Sequence, residues 1–262
     1  VEDGALEEAL GRGGKLALVS IMWVNNEVGT IQPTARLAER CRDAGVCFHT
    51  DAVQALGKIP LSLKDAPCVL LSISGHKIGA PKGIGALVVR DRRAVEAIIH
   101  GGGQQFGIRP GTENVPGIIA LGKAVELAAE EREELSRRLR ALRDELERRL
   151  LEIVPDAVIN AWTTERAPHV SSISIPGTDS EALLMHLDLA GIACSSGSAC
   201  STGAIEPSHV LTAMGVPREL GIAALRFSFG RESAPEDVDA VIAAMPRIVE
   251  KVRALAGVLN RA

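Results

Sequence analysis

The chain has 262 residues, 46% of them hydrophobic and 24% charged, the balance of an ordinary globular protein with room for one large domain or two smaller ones. A formal net charge of −4 and an aromatic content of 2%, with no Tyr, speak against nucleic acid or an anionic membrane as partner, because neither electrostatic attraction nor a base-stacking surface is on offer. No apolar run reaches the roughly 18–20 residues of a bilayer span, and the opening Val1-Glu2-Asp3-Gly4 lacks the basic and apolar regions of a signal peptide.

Residues 16–24 (LALVSIMWV) form a continuous apolar run, the pattern of a strand buried on both faces. Asn25-Asn26-Glu27-Val28-Gly29 reads as a loop, followed by a helix over 33–44 that ends at Gly45. Residues 46–50 and 69–74 read as further strands, and 85–89 as a fourth after a Pro/Gly-rich turn. Strand, helix, strand at this spacing implies a parallel sheet of the βαβ kind.

From Pro116 the pattern turns helical. Leu135, Leu139, Leu142, Leu146 and Leu150 recur at three- and four-residue steps between dense charges, giving one apolar stripe on a long helix whose charged face is expected in solvent. After Pro155 the pattern is α+β: a strand over 170–175, a helix over 180–190, a loop through Cys200, a helix over 207–214 and a strand over 224–229. A closing helix over 235–255 is introduced by the capping sequence Ser233-Ala234-Pro235-Glu236.

Three polar clusters end the first three strands at their C-terminal edges, where open α/β sheets hold ligands: Asn25-Asn26-Glu27, then 49–54 (HTDAVQ), then 72–77 (SISGHK). Singly, each has an ordinary explanation. A loop Asn caps a turn, Asp51 caps a following helix, and a strand-end lysine merely sits in a connection. Together they suit pyridoxal phosphate, which needs a carboxylate opposite its ring nitrogen and a lysine to form a Schiff base with its aldehyde. Asp51 and Lys77 are the candidates; Ser74 and His76 are placed to hold the phosphate. Gln54, on the same helical face as Asp51, is placed to reach the ring hydroxyl.

The five cysteines are odd in number and irregularly spaced, with no Cys-x-x-Cys pair, so the expectation is a reducing cytoplasm with no disulfide framework and no metal site. Cys41, Cys47 and Cys68 read as small buried hydrophobes. Cys200 differs, because 195–203 (SSGSACSTG) is small, polar and flexible, a poor place to bury a side chain and a good one for a mobile thiolate nucleophile. Cys194 reads as part of a strand. His100, His169, His186 and His209 show no ligand spacing and read as structural or surface residues. Gly101-Gly102-Gly103 lacks the dinucleotide fingerprint.

Five collinear strings, HTDAVQALGKIPL, SISGHKIGAPKGIGAL, HGGGQQFGIRPGTENV, SSGSACSTGAIEPSHVL and LRFSFGR, resemble the cysteine desulfurases of the NifS/IscS type, and the similarity runs over essentially the whole chain. The resemblance implies a class-V aminotransferase-like enzyme that converts L-cysteine to L-alanine and passes the sulfane sulfur to a cysteine persulfide. It implies the three-layer α/β fold of pyridoxal-phosphate-dependent transferases (aspartate aminotransferase-like). The large domain, incomplete here, would be the remainder over 1–135, and an α+β small domain over 136–262 would carry the cysteine loop.

Residue by residue, the resemblance implies Lys77 as the Schiff-base lysine and Asp51 as the partner of the pyridine nitrogen. Gln54 and Asn26 fall on the ring oxygen and substrate side, and Ser74 and His76 on the phosphate. Thr112 resembles the threonine that reaches the phosphate of a partner subunit, which requires a homodimer. Arg226 matches the arginine that takes the substrate carboxylate, a bidentate task suited to guanidinium. Cys200 becomes the sulfur acceptor, and the loop before Glu206-Pro207-Ser208-His209 resembles the branch that serves iron–sulfur scaffold proteins. Family members carry a further N-terminal third, with a phosphate-binding Gly-Thr turn and a ring-stacking histidine that have no match here, so an upstream segment is expected. A related pyridoxal-phosphate lyase or aminotransferase, such as a selenocysteine lyase, and a catalytically incomplete partner-binding or dimerising module remain alternatives.

Overall fold

The computed structural model describes residues 3–12, 16–64, 70–196 and 206–259, so Cys68 and Cys200 lie outside the described residues. The chain divides into two compact units: Val1–Asn25 with Ile31–Glu133, and Asn26–Thr30 with Glu134–Ala262.

The first unit runs α1 (Asp3–Gly11), β1 (Leu18–Met22), α2 (Thr34–Asp43), β2 (Cys47–Asp51), β3 (Leu70–Ser74), β4 (Gly85–Val89) and the opening turns of α3 (Val115–Ile153). The sheet order is β1-β2-β3-β4. The first three strands are parallel, with Met22 opposite Asp51 and Asp51 opposite Ser72. The last is antiparallel to β3, because the link from Gly75 to Ile84 is shorter than the crossover of about a dozen residues that a parallel pair needs.

The expectation of a first strand buried on both faces is not met. In the described sheet β1 is an edge strand, and Leu18 is 46% exposed. It is also shorter than its apolar run. Trp23 donates its N–H to Asp51 O (2.9 Å) while its own carbonyl accepts from Gln32 N (2.8 Å), so the chain turns back at Val24 to bridge Ile31. The core of this unit gathers Ile78, Ala80, Leu121, Ala124 and Ala128, with Leu56, Ile73 and Ile84 packed on them.

The expected helix after Asp51 is absent. Residues 53–58 form successive turns, with Ala55 and Leu56 both donating to Ala52 O. Gly57 stops any continuation. Its φ of +71° is in the left-handed region, and a β-carbon there would meet the Ala128 β-carbon at 2.9 Å.

The second unit holds the rest of α3, then β5 (Val158–Ile159), β6 (Val170–Ser174), α4 (Ser180–Leu189), β7 (Ser195–Ser196), α5 (His209–Ala213), α6 (Arg218–Gly221), β8 (Ala224–Ser228) and α7 (Pro235–Leu259). Its antiparallel sheet has the order β5-β6-β8-β7. The leucine stripe of α3 behaves as its spacing predicts: Leu139, Leu142, Leu146 and Leu150 are buried with Ile173, Leu183, Leu225 and Met245.

The charged face of α3 is only partly solvated, a correction to the sequence expectation. Glu147 is 1% exposed and takes both arms of Arg166 (2.7 and 2.8 Å) and the Ser171 hydroxyl (2.6 Å). Buried Arg143 donates to the carbonyls of Arg166 (3.2 Å) and Ala167 (2.8 Å). A carboxylate can sit inside because each oxygen is paired. The start of α7 also differs in detail. Ser233 Oγ accepts from Gly230 N (2.9 Å), and Asp237 takes the Ala234 N–H (2.9 Å). Cys194 lies one residue ahead of β7 instead of within a strand, packed at the edge of the apolar cluster.

Candidate active site

Asp51 is the last residue of β2, where the ladder is still intact on both sides: Trp23 donates to its carbonyl, and Ala52 N donates to Ser72 O (2.9 Å). Its Oδ1 accepts from Val53 N (2.9 Å), the short turn that makes Asp frequent after a strand. Among the described residues, Oδ2 has no hydrogen-bond partner. Two positions earlier, and so on the same sheet face, His49 bonds Ser20 through Nδ1 and Ser72 through Nε2, both at 2.7 Å. That lacing of three strands beneath Asp51 was not singled out in the sequence, although the two-residue spacing was a signal for it.

The neighbouring strand ends at Ser74 and turns through Gly75–Lys77, one turn of 3-10 helix. Gly75 N donates to Ile84 O (2.9 Å), and its carbonyl accepts from Ile78 N and Ala80 N (both 3.0 Å). A β-carbon at Gly75 would lie 2.9 Å from Ile84 Cγ2 and 3.0 Å from the Ala80 β-carbon, so the turn packs this tightly only around glycine. Gly75 and Ile78 are therefore buried while His76 and Lys77 face outward. His76 Nδ1 and Ser74 Oγ are hydrogen-bonded at 2.8 Å. The Lys77 amine has no hydrogen bond or ion pair among the described residues. Gln54 is half-buried in the turns that follow Asp51, and Thr112 is exposed beside Gly111, whose N–H is held by the Gln104 side chain at 3.1 Å.

Asn26 and Arg226 belong to the second unit. Arg226, on β8, donates from Nη1 to Asn26 O (2.9 Å), and its buried Nε has no partner among the described residues. Ser195 stands opposite Arg226 in the pairing of β7 with β8. Directly after Asn26, Glu27 is buried at 8% exposure and its Oε2 accepts from the Ser208 hydroxyl. No local pattern announces that contact, because its partners are 181 positions apart.

The donors present suit pyridoxal phosphate. A protonated ring nitrogen calls for a carboxylate with an oxygen to spare, as Asp51 has. An aldehyde calls for an uncommitted amine, as Lys77 offers, and a phosphate for adjacent hydroxyl and imidazole donors such as Ser74 and His76. All four stand at the C-terminal ends of two adjacent parallel strands. A carboxylate approaching Arg226 would meet a guanidinium with donor capacity left.

Residues 4–241 match the class-V aminotransferase family, and the chain belongs to it. Its cysteine desulfurase members are pyridoxal-phosphate-dependent. A cysteine desulfurase of Gluconacetobacter diazotrophicus is 51% identical over 239 residues, covering 91% of this chain and 60% of that protein. The cysteine desulfurase NifS of Azotobacter vinelandii is 44% identical over 238 residues, covering 91% and 59%. A NifS-like protein from Rickettsia africae has a related structure, with a TM-score of 0.87 at 34% identity over 95% of this chain and 67% of that one. The chain thus spans about 60% of the length of the curated relatives it matches. Both the family resemblance and the α/β transferase fold expected from the sequence are borne out.

Proposed function

We propose that the protein containing this chain is a cysteine desulfurase that turns L-cysteine into L-alanine and holds the sulfur as a persulfide on Cys200. The observation that carries this reading is the placement of Asp51 and Lys77 at the ends of adjacent parallel strands, with one Asp51 carboxylate oxygen and the Lys77 amine lacking partners among the described residues. Bound there, pyridoxal phosphate supplies an electron sink for the carbons beside the substrate amine. Asp51 holds the charge of the ring nitrogen, Lys77 anchors the aldehyde, Ser74 and His76 bind phosphate, and Gln54 and Asn26 line the ring-oxygen side. Arg226 takes the substrate carboxylate.

Cys200 then attacks the substrate sulfur as thiolate. The Cβ–S bond breaks, its electron pair stays on the carbon, and that carbon takes a proton to become the methyl group of alanine. Atoms and electrons balance without an external oxidant. We extend the proposal to a cytoplasmic homodimer, in which Thr112 reaches the partner's phosphate site, and to an iron–sulfur scaffold or similar protein as sulfur recipient; the names of the relatives support that last step.

The test uses the full-length protein loaded with cofactor. L-Cysteine must yield alanine and, with a thiol reductant, sulfide. Lys77→Ala must remove the visible absorbance of bound cofactor together with both products, whereas Cys200→Ala must keep the absorbance and lose sulfide release. Full turnover by Cys200→Ala would exclude Cys200 as acceptor, and the absence of alanine from the wild-type protein would exclude the desulfurase itself.

A further inference from the structure

We propose that Gln104 is a positioning residue for Thr112: by accepting the Gly111 N–H it locks the joint in front of Thr112, and so sets how firmly the threonine hydroxyl meets a cofactor phosphate. The inference rests on the desulfurase reading for that phosphate, and on geometry within the first unit for the lock.

The loop ahead of α3 is closed by a side chain. Gln104 Oε1 accepts from Gly111 N at 3.1 Å, across seven positions. A backbone N–H can only donate, so the half-buried amide must present its oxygen there. That amide lies over Gly102, where a β-carbon would collide with it, and a β-carbon at Gly101 would meet the Pro110 β-carbon at 2.9 Å. Between these contacts, Gln105 (φ +48°) and Phe106 (φ +61°) adopt left-handed backbone that such residues seldom take. Backbone of this kind persists only where its surroundings impose it.

Thr112 stands between a fixed helix start and one soft joint. After it, Val115 N donates to Glu113 O (2.9 Å), and Asn114 Oδ1 accepts from Gly117 N (3.1 Å). Before it, the Pro110 ring locks its own φ, which leaves rotation of the peptide between Pro110 and Gly111. Gly111 sits at φ +103° and, having no β-carbon, takes negative φ about as readily. Apart from the Arg109 guanidinium on Pro110 O (3.2 Å), the bond to Gln104 is the only hydrogen bond of Pro110, Gly111 and Thr112 among the described residues. It therefore decides between the two settings of that peptide. Turning the peptide over re-aims the chain as it enters Thr112, and the hydroxyl with it.

The experiment uses the full-length protein, stripped of pyridoxal phosphate and then titrated with it. Gln104→Met keeps the volume over Gly102 but offers no carbonyl oxygen. Its half-saturating cofactor concentration should rise about 10- to 100-fold, the range of one hydrogen bond to a charged group. The phosphorus NMR signal of the bound cofactor should move toward that of Thr112→Val. Gly111→Ala disfavours positive φ without a clash, since its β-carbon would meet only Arg109 Nη1, at 3.5 Å. It should reproduce both changes, and it carries the test if Gln104→Met does not fold. In the Thr112→Val background Gln104→Met should add nothing, because the two act through one contact. Additive losses in the double variant would overturn the proposal, as would an unmoved phosphorus signal in either folded single variant. A wild-type protein that takes up no cofactor fails the desulfurase reading instead. Hydrogen exchange at the Gly111 amide then decides whether the lock exists: it should quicken in Gln104→Met, and an unchanged rate would overturn the lock whatever the cofactor does.

Discussion

Cys194 and Cys200 stand six positions apart, yet one sits where a thiol is disarmed. Cys194 lies against the apolar cluster of the second unit, and burial pushes its thiol up to about 11. Its thiolate fraction near pH 8 should therefore be about a hundredfold below that of an ordinary cysteine. Peptide mass spectrometry after brief iodoacetamide treatment should find Cys194 unlabelled in the folded protein and labelled in urea; rapid labelling of the folded form would contradict its burial. The sign of the stability effect follows. The fold favours the neutral thiol, so its contribution is complete below the ordinary thiol value and is lost as pH rises from about 9 toward 11. Cys41 and Cys47, also raised by burial, act in the same direction.

At the level of elements, local chemistry decides where helices begin. α4 starts because Asp179 is extended (φ −126°, ψ 149°) and its carboxylate accepts from Ala182 N at 2.8 Å. Asp179→Ala should cost about 0.5–2 kcal/mol and Asp179→Ser much less, read as shifts in the urea midpoint; equal loss in both would rule out the cap as the cause. The features legible in the sequence are those specified this locally. The leucine stripe of α3, the bounds of β4 and the strand-end positions of Asp51, Ser74, His76 and Lys77 all follow from spacing and nearby turn residues. What escaped depends on distant chain. The turns after Asp51 replace a helix because Gly57 abuts Ala128 on another element. Arg143 and Glu147 leave the solvated face of α3 because Arg166, Ala167 and Ser171 come to meet them. Glu27 has no meaning until Ser208 is placed beside it.

At the scale of the whole molecule, the chain order and the packing disagree in one informative place. Asn26–Thr30 follows β1 of the first unit and precedes α2 of the same unit, yet it packs as part of the second. Gly29 O accepts from Ala167 N at 2.8 Å, and a β-carbon at Gly29, whose φ is +77°, would come within 3.3 Å of the Val170 β-carbon. Thr30 bridges Arg166, and Val28 fills the cluster of Leu211 and Ala224. Five residues of the first half are thus built into the packing of the second unit. Val28→Ala removes buried apolar volume worth about 1–3 kcal/mol. If the segment serves the second unit, native-state hydrogen exchange should quicken by about 10- to 100-fold in the slowest amides of β6, β8 and α5, while those of β1, β2 and β3 hold their rates. Equal acceleration in both sheets would mean that the two units open together, and that the segment's packing stabilises the chain as one cooperative body.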